Sequence, residues 1–207
     1  MQFDKNLAWI DIETTGLTGK SDLFTYGQRD HLILELALVI TDPELNVLYE
    51  TSYVVDHDIS QVYSYINGNE KVLKMHTDSG LLEALKDKNE TMPLYRIENC
   101  LMDTIKHYCG GNPKNAPIMA GSSIHFDRAF IQAQMPRLNS MLHYRNFDVS
   151  TLKMFHDMMF DTPLSLNRDE PKHRALDDIQ FSLDLTRKIK QKFQQKGLLC
   201  YLKNLWK

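Results

Sequence analysis

Leu7-Ala8-Trp9-Ile10-Asp11-Ile12-Glu13-Thr14-Thr15-Gly16-Leu17 is the stretch on which the reading of this chain turns. From Leu7 to Glu13 the residues alternate, with Ala8, Ile10 and Ile12 on one face and Leu7, Trp9, Asp11 and Glu13 on the other, which predicts a β-strand. Side chains two apart on a strand point the same way, so Asp11 and Glu13 share a face at the C-terminal end. Open α/β sheets place their ligands at that end. Two carboxylates held so close repel unless a cation or a proton neutralises them. Oxygen-only ligands suit hard cations such as Mg²⁺ or Mn²⁺ rather than zinc.

Outward from this strand, the apolar run Leu32 to Thr41 predicts a second strand, stopped by the Asp42-Pro43 turn, and Val47 to Val55 a third. Asn67-Gly68 is a further turn signal. Ile97, Leu101, Ile105 and Tyr108 recur at helical spacing and Gly110-Gly111 ends that helix. A short apolar stretch, Ala116 to Ala120, leads through Gly121-Ser122-Ser123 to a helix expected from near Phe126 to about Pro136. Ser150 reads as the cap of a helix over Thr151 to Phe160. Residues 161–172 read as a loop. The last long helix is expected from about Ala175 to Lys196, burying Ile179, Leu183, Ile189 and Phe193, with Gly197 closing it. Leu198 to Trp206 is a small apolar appendage expected to pack back on the domain or on a partner. Strands first, then strands interleaved with helices, predict a three-layer α/β fold with a mixed sheet. No linker or internal repeat divides the chain, so one domain is expected over 1–207, with a core of about 7–196.

The chain has 207 residues, 43% hydrophobic and 25% charged, which excludes intrinsic disorder, collagen and coiled coil. No apolar run approaches the roughly 20 residues of a membrane span. The polar start, Met1 to Asn6, does not read as a signal peptide. Cys100, Cys109 and Cys200 form no CxxC pair, so neither a zinc site nor a disulfide framework is indicated, and a reducing cytosol is the expected setting. The net charge of −3 conceals an asymmetry: no acidic residue follows Asp184, whereas seven basic residues do. A solvated helix end explains that tail as readily as attraction of a polyanion does.

Two further features carry chemistry. Asp127 falls in the first turn of a helix just after a strand, a place where an aspartate often serves only the helix dipole. His173-Arg174-Ala175-Leu176-Asp177-Asp178 runs from the polar loop into the long helix, and on periodicity alone either aspartate could face the sheet. With Asp11 and Glu13 these supply four carboxylates, enough to hold two metal ions about 3.5–4 Å apart for phosphodiester hydrolysis. A histidine beside them, with an ordinary pKa of about 6.5, can take a proton from the attacking water.

In combination, Trp9 to Leu17, Asp127 and His173 to Asp178 resemble the three exonuclease motifs of the DEDDh, or DnaQ-like, 3′–5′ exonucleases, whose fold is ribonuclease H-like. Within that superfamily the chain resembles the oligoribonucleases. His76-Thr77-Asp78-Ser79-Gly80-Leu81, Ser123 with Asp127-Arg128, His143-Tyr144-Arg145 and Asp148 to Lys153 lie in the same order, and the likeness covers roughly Leu7 to Lys190. The resemblance implies that Asp11, Glu13, Asp127 and Asp178 hold two divalent cations, Mg²⁺ or Mn²⁺, with His173 as general base and Asp177 structural. It implies that Leu17 wedges against the bases, that His76, Ser123 and Ser150 contact the substrate, and that Arg145 meets its 5′ phosphate. Tyr144 would reach the partner's site of a homodimer. The implied reaction releases 5′-mononucleotides from the free 3′ end of short single-stranded RNA. Three departures stand out: Lys71 where the family has a tryptophan lining the base pocket, Ile124-His125-Phe126 before Asp127, and a longer loop from Thr18 to His31. With the basic tail, they keep open a DEDDh exonuclease acting on longer single-stranded RNA or DNA. A scaffold that has lost catalysis is disfavoured because all five catalytic positions are filled.

Overall fold

The computed structural model describes residues 4–17, 28–160, 164, 166 and 173–205, the last nine in backbone only. Three strands open it: β1 (Leu7–Thr14), β2 (Ile33–Thr41) and β3 (Val47–Val55). Three short helices follow, α1 (Ile59–Ile66), α2 (Glu70–Asp78) and α3 (Leu81–Ala84), and then β4 (Thr91–Met92) and α4 (Leu94–Cys109). The second half runs through β5 (Ile118–Gly121), α5 (His125–Gln134), α6 (Pro136–Met141), β6 (Asn146–Asp148), α7 (Val149–Met159) and α8 (Ala175–Leu205).

The sheet order is β4-β3-β2-β1-β5-β6. β1 pairs antiparallel with β2 and parallel with β5, so the sheet is mixed and β1 sits centrally. Both of its faces are buried, as its alternation requires. Ala8 and Ile10 join Leu36, Leu38 and Ile40 against α4, α5 and α6 through Ile97, Leu101, Phe130 and Leu138. Leu7 and Trp9 join Ala37 and Val39 against α8, through Ala175, Ile179 and Leu183. The face that carries Asp11 and Glu13 is therefore the α8 face.

The structure departs from the sequence-based expectations at four places. The helices α1 to α3 were foreshadowed only by the Asn67-Gly68 turn; they form a third apolar cluster of Val62, Ile66, Leu81 and Leu85 against Leu34 of β2. Ser150 is not the cap of α7. Asp148 is, accepting the Thr151 N–H at 3.2 Å, and so Ser150 is left free for another contact. A short strand, β6, precedes that cap. Gly197 does not close α8, whose backbone stays helical to Leu205. Most of the Thr18–His31 loop, most of 161–172 and the packing of Leu198 to Trp206 lie outside the described residues or side chains. Among the described residues no helix is long and apolar enough to cross a membrane.

Candidate active site

The C-terminal end of β1 opens into a cleft of about 400 Å³ lined by Asp11, Ile12, Glu13, Leu17, His173 and Asp178 on one side and by Asn69, Lys71, Val72 and Met75 of the α2 region on the other. Each acidic side chain is delivered by a different local device. Asp11 and Glu13 arrive by strand alternation. Asp127 sits in the first turn of α5, and its Oδ1 accepts the Ile12 N–H at 3.1 Å, between the two strand carboxylates. Gly121 permits that approach: a Cβ there would lie 2.8 Å from Ile124 Cδ1 and 3.0 Å from the Ile10 carbonyl. Of the two aspartates opening α8, Asp178 faces the β1 carboxylates, while Asp177 is exposed.

The electrostatics are those of carboxylates crowded together and largely buried. Burial, then Asp127, Asp178, Glu13 and Glu35, push the Asp11 carboxyl well above its ordinary range. Glu13 is raised to about 8 by burial and by Asp178, Glu35 and Asp127, with Arg174 acting against them. Asp127 is raised to about 7, chiefly by burial, despite the Ile12 N–H that favours its charged form. Ligand atoms of Glu13, His173 and Asp178 all lie within 4.8 Å of one another. A donor set of clustered carboxylates that resist ionising alone fits a hard divalent cation.

The residues expected to touch substrate divide. Leu17 lines the cleft with 49% of its surface exposed. Ser123, outside the cleft lining, takes a left-handed conformation (φ 51°), its N–H donating to Ser150 Oγ at 3.0 Å and its hydroxyl paired with the same oxygen at 3.1 Å. Tyr144 is 75% exposed on the segment before β6, flanked by the Arg145 guanidinium 5.2 Å from its ring centre and by the His143 ring. His76 is the exception. Its ring is fully buried, donates from Nε2 to the Thr14 carbonyl at 2.8 Å and turns Nδ1 toward Glu13 at 3.9 Å. It braces the end of β1 and presents no surface to a substrate; burial lowers its pKa. His125 and Phe126, a candidate stacking surface, lie ring to ring 4.1 Å apart outside the cleft lining, whereas Lys71 lies within it.

Sequence reading missed Glu35. It is 1% exposed in an otherwise apolar strand and accepts two hydrogen bonds from Arg174 Nε (3.1 and 2.9 Å) and one from Nη2 (2.8 Å). The available signal was the residue itself, since a glutamate inside Ile33-Leu34-Glu35-Leu36 must find a partner when buried.

The comparisons with known proteins bear on this arrangement. The sequence model of the family described as Exonuclease matches residues 8–186. The oligoribonuclease of Neisseria meningitidis serogroup A is 33% identical over 193 residues, which are 93% of this chain and 95% of that protein. The chain belongs to the oligoribonuclease family. The Corynebacterium diphtheriae oligoribonuclease is 38% identical over 180 residues, 86% of this chain and 78% of its own. Among solved structures, exonuclease I of Methylocaldum szegediense superposes with a TM-score of 0.64 at 13% identity, over 90% of this chain and 40% of that one. A zinc-bound complex of E. coli exonuclease I with single-stranded DNA gives 0.61 at 14%, over 98% and 43%. This chain thus spans about two-fifths of the exonuclease I chains, and the likeness establishes the fold, a ribonuclease H-like mixed sheet flanked by helices. As an oligoribonuclease-family member the chain is a 3′–5′ exonuclease, a phosphodiester hydrolase that depends on divalent metal.

Proposed function

We propose that this exonuclease degrades short single-stranded oligoribonucleotides from their free 3′ ends to 5′-mononucleotides, with two Mg²⁺ or Mn²⁺ ions held by Asp11, Glu13, Asp127 and Asp178 and with His173 as general base. One observation carries the reading. Four carboxylates from β1, α5 and α8 gather at the end of β1, burial and mutual repulsion raise the proton affinity of Asp11, Glu13 and Asp127, and a histidine stands within 4.8 Å of Glu13 and Asp178.

Bound divalent cations would neutralise the scissile phosphate and acidify the attacking water. The rest falls to the chain's own side chains. His173 takes the water's proton as its oxygen bonds to phosphorus. The bond from phosphorus to the 3′ oxygen of the preceding nucleotide breaks, and that oxygen leaves and is protonated. Leu17 meets the bases at the cleft mouth, Ser123 and Ser150 hold the sugar-phosphate, and Arg145 receives the 5′ phosphate. In a homodimer Tyr144, exposed on its own subunit, would reach the partner's site. The cleft lies at the small end of ligand pockets, which span about 300–1,000 Å³, as a short substrate requires. We take the single domain to extend over 1–207.

A second reading, action on longer RNA or DNA, is favoured by Lys71, which brings charge but no stacking face to the cleft wall. Product analysis with Mg²⁺ on end-labelled RNAs of two and 24 nucleotides, with DNA counterparts, separates the two readings. Rapid cleavage of the dinucleotide and stalled attack on the 24-mer is the expected result; the reverse ranking would reassign the protein to general 3′ trimming.

A further inference from the structure

His173 occupies a left-handed backbone conformation (φ 54°), which residues other than glycine adopt at a cost and keep only when their surroundings hold them there. Among the described residues, the next one in sequence supplies such contacts. The Arg174 guanidinium forks onto the buried Glu35 carboxylate with three hydrogen bonds of 2.8–3.1 Å. The Ala175 N–H, at the start of α8, donates to the same carboxylate at 3.2 Å. The Arg174 carbonyl in turn accepts the Asp178 N–H at 3.0 Å. Glu35 is therefore a fixed point for the whole segment from His173 to Asp178. Its place on β2 is directly across from Glu13 of β1 in the strand register.

We infer that the Arg174–Glu35 pair is a positioning clamp, which sets His173 and the start of α8 against the β1 carboxylates through β2. The inference rests on the reading of His173 as general base. A planar guanidinium fork fixes an orientation that a point charge cannot, and a base must sit within hydrogen-bond reach of the proton it takes. Arg174 and Glu35 touch no reacting atom in this scheme; they act through their neighbours.

Stranding one member of a buried pair unfolds a chain for reasons unrelated to catalysis, whereas replacing both with apolar residues commonly leaves stability intact. The test is therefore the double variant Glu35→Leu/Arg174→Leu, made with and without His173→Ala, and beside it Arg174→Lys, which keeps the charge and loses the fork. Melting temperature, KM and kcat on a labelled dinucleotide with saturating Mg²⁺ are the readouts. A melting temperature and KM near wild type with kcat reduced about 10–100-fold is expected of the double variant, on the scale of a lost supporting residue. Arg174→Lys should lose about 10-fold or more. In the His173→Ala background the double replacement should cost clearly less kcat than in wild type, the remainder being its effect on Asp178 at the start of α8. Wild-type kcat in either clamp variant, or an undiminished loss in the His173→Ala background, would overturn the clamp while leaving the base assignment standing. Wild-type turnover by His173→Ala alone would remove the base assignment, and the clamp with it.

Discussion

Glu13 and Glu35 face each other across β1 and β2 as register partners, both nearly inaccessible to solvent, and the protein treats them in opposite ways. Glu35 is satisfied from within by the Arg174 fork and the Ala175 N–H. Glu13 is pushed to a pKa of about 8 by burial and then by Asp178, Glu35 and Asp127. A buried carboxylate with its counter-ion built into the chain is part of the scaffold. One left among like charges needs a cation from outside. The difference teaches where to look for chemistry in this fold: not at the most buried charges but at those crowded by like charges.

The largest expected break in this contrast comes from removing a ligand from the side crowded by like charges. Asp11→Asn should lower nuclease activity by roughly 10⁴-fold, about 5 kcal/mol of transition-state stabilisation. Initial rates on a labelled dinucleotide with saturating Mg²⁺ measure it, and a rate within 10-fold of wild type would discard the metal assignment. Next comes the base. His173→Ala should cost about 10²–10⁴-fold in kcat while Mn²⁺ affinity, read by calorimetry, stays close to wild type. A collapse of Mn²⁺ affinity in that variant would make His173 a ligand in place of a base, a role its nearness to Glu13 and Asp178 also permits geometrically.

What could be read from the chain in advance divides along the same line. Strand alternation sends Asp11 and Glu13 to the face of Leu7 and Trp9, and helical spacing sends Ile179 and Leu183 inward, so the meeting of β1 with α8 followed from local periodicity. The Glu35–Arg174 pair spans 139 residues of sequence, and no local pattern encodes it. The helices α1 to α3 escaped notice because they are short and bury few residues each, α1 only Val62 and Ile66, so no repeat could build up. The cap of α7 was misread because Asp148 and Ser150 are both good capping residues; the choice depends on Ser123, which claims Ser150 from another part of the chain. The resemblance implies a substrate contact for His76, and the sequence does not show that Thr14 supplies a carbonyl to bury its ring against.

A smaller effect is expected on the wall opposite the carboxylates. Lys71→Trp would exchange a cation for a stacking surface, and base–aromatic stacking is worth about 1–3 kcal/mol. The KM for a diribonucleotide should fall by about 5–100-fold, and the slope of log(kcat/KM) against log[salt] should weaken by up to about one unit as one phosphate contact is lost. An unchanged KM together with an unchanged salt slope would show that Lys71 lines the cleft without meeting the substrate.

The smallest effect is on stability, and it tests the comparison between the two glutamates most directly. Glu13 binds its proton more tightly in the fold than in an unfolded chain, with a pKa of about 8 against 4.5. Its contribution is therefore fully present below about pH 4.5 and is lost as pH rises through 8. His76, kept neutral by burial, contributes in the opposite direction, losing stability as pH falls through its ordinary range. The quantity to follow is thus the difference between wild type and Glu13→Gln, in which contributions from groups remote from Glu13 cancel. In EDTA, Glu13→Gln should gain on wild type as pH rises from 5 to 8, by at least about 2–4 °C in melting temperature, the equivalent of about 1 kcal/mol in a chain of this size. Added Mg²⁺ should reverse the ranking, because a cation favours the ionised carboxylate that glutamine cannot supply. Parallel pH curves for the two proteins in EDTA would mean that Glu13 is compensated from within after all, as Glu35 is.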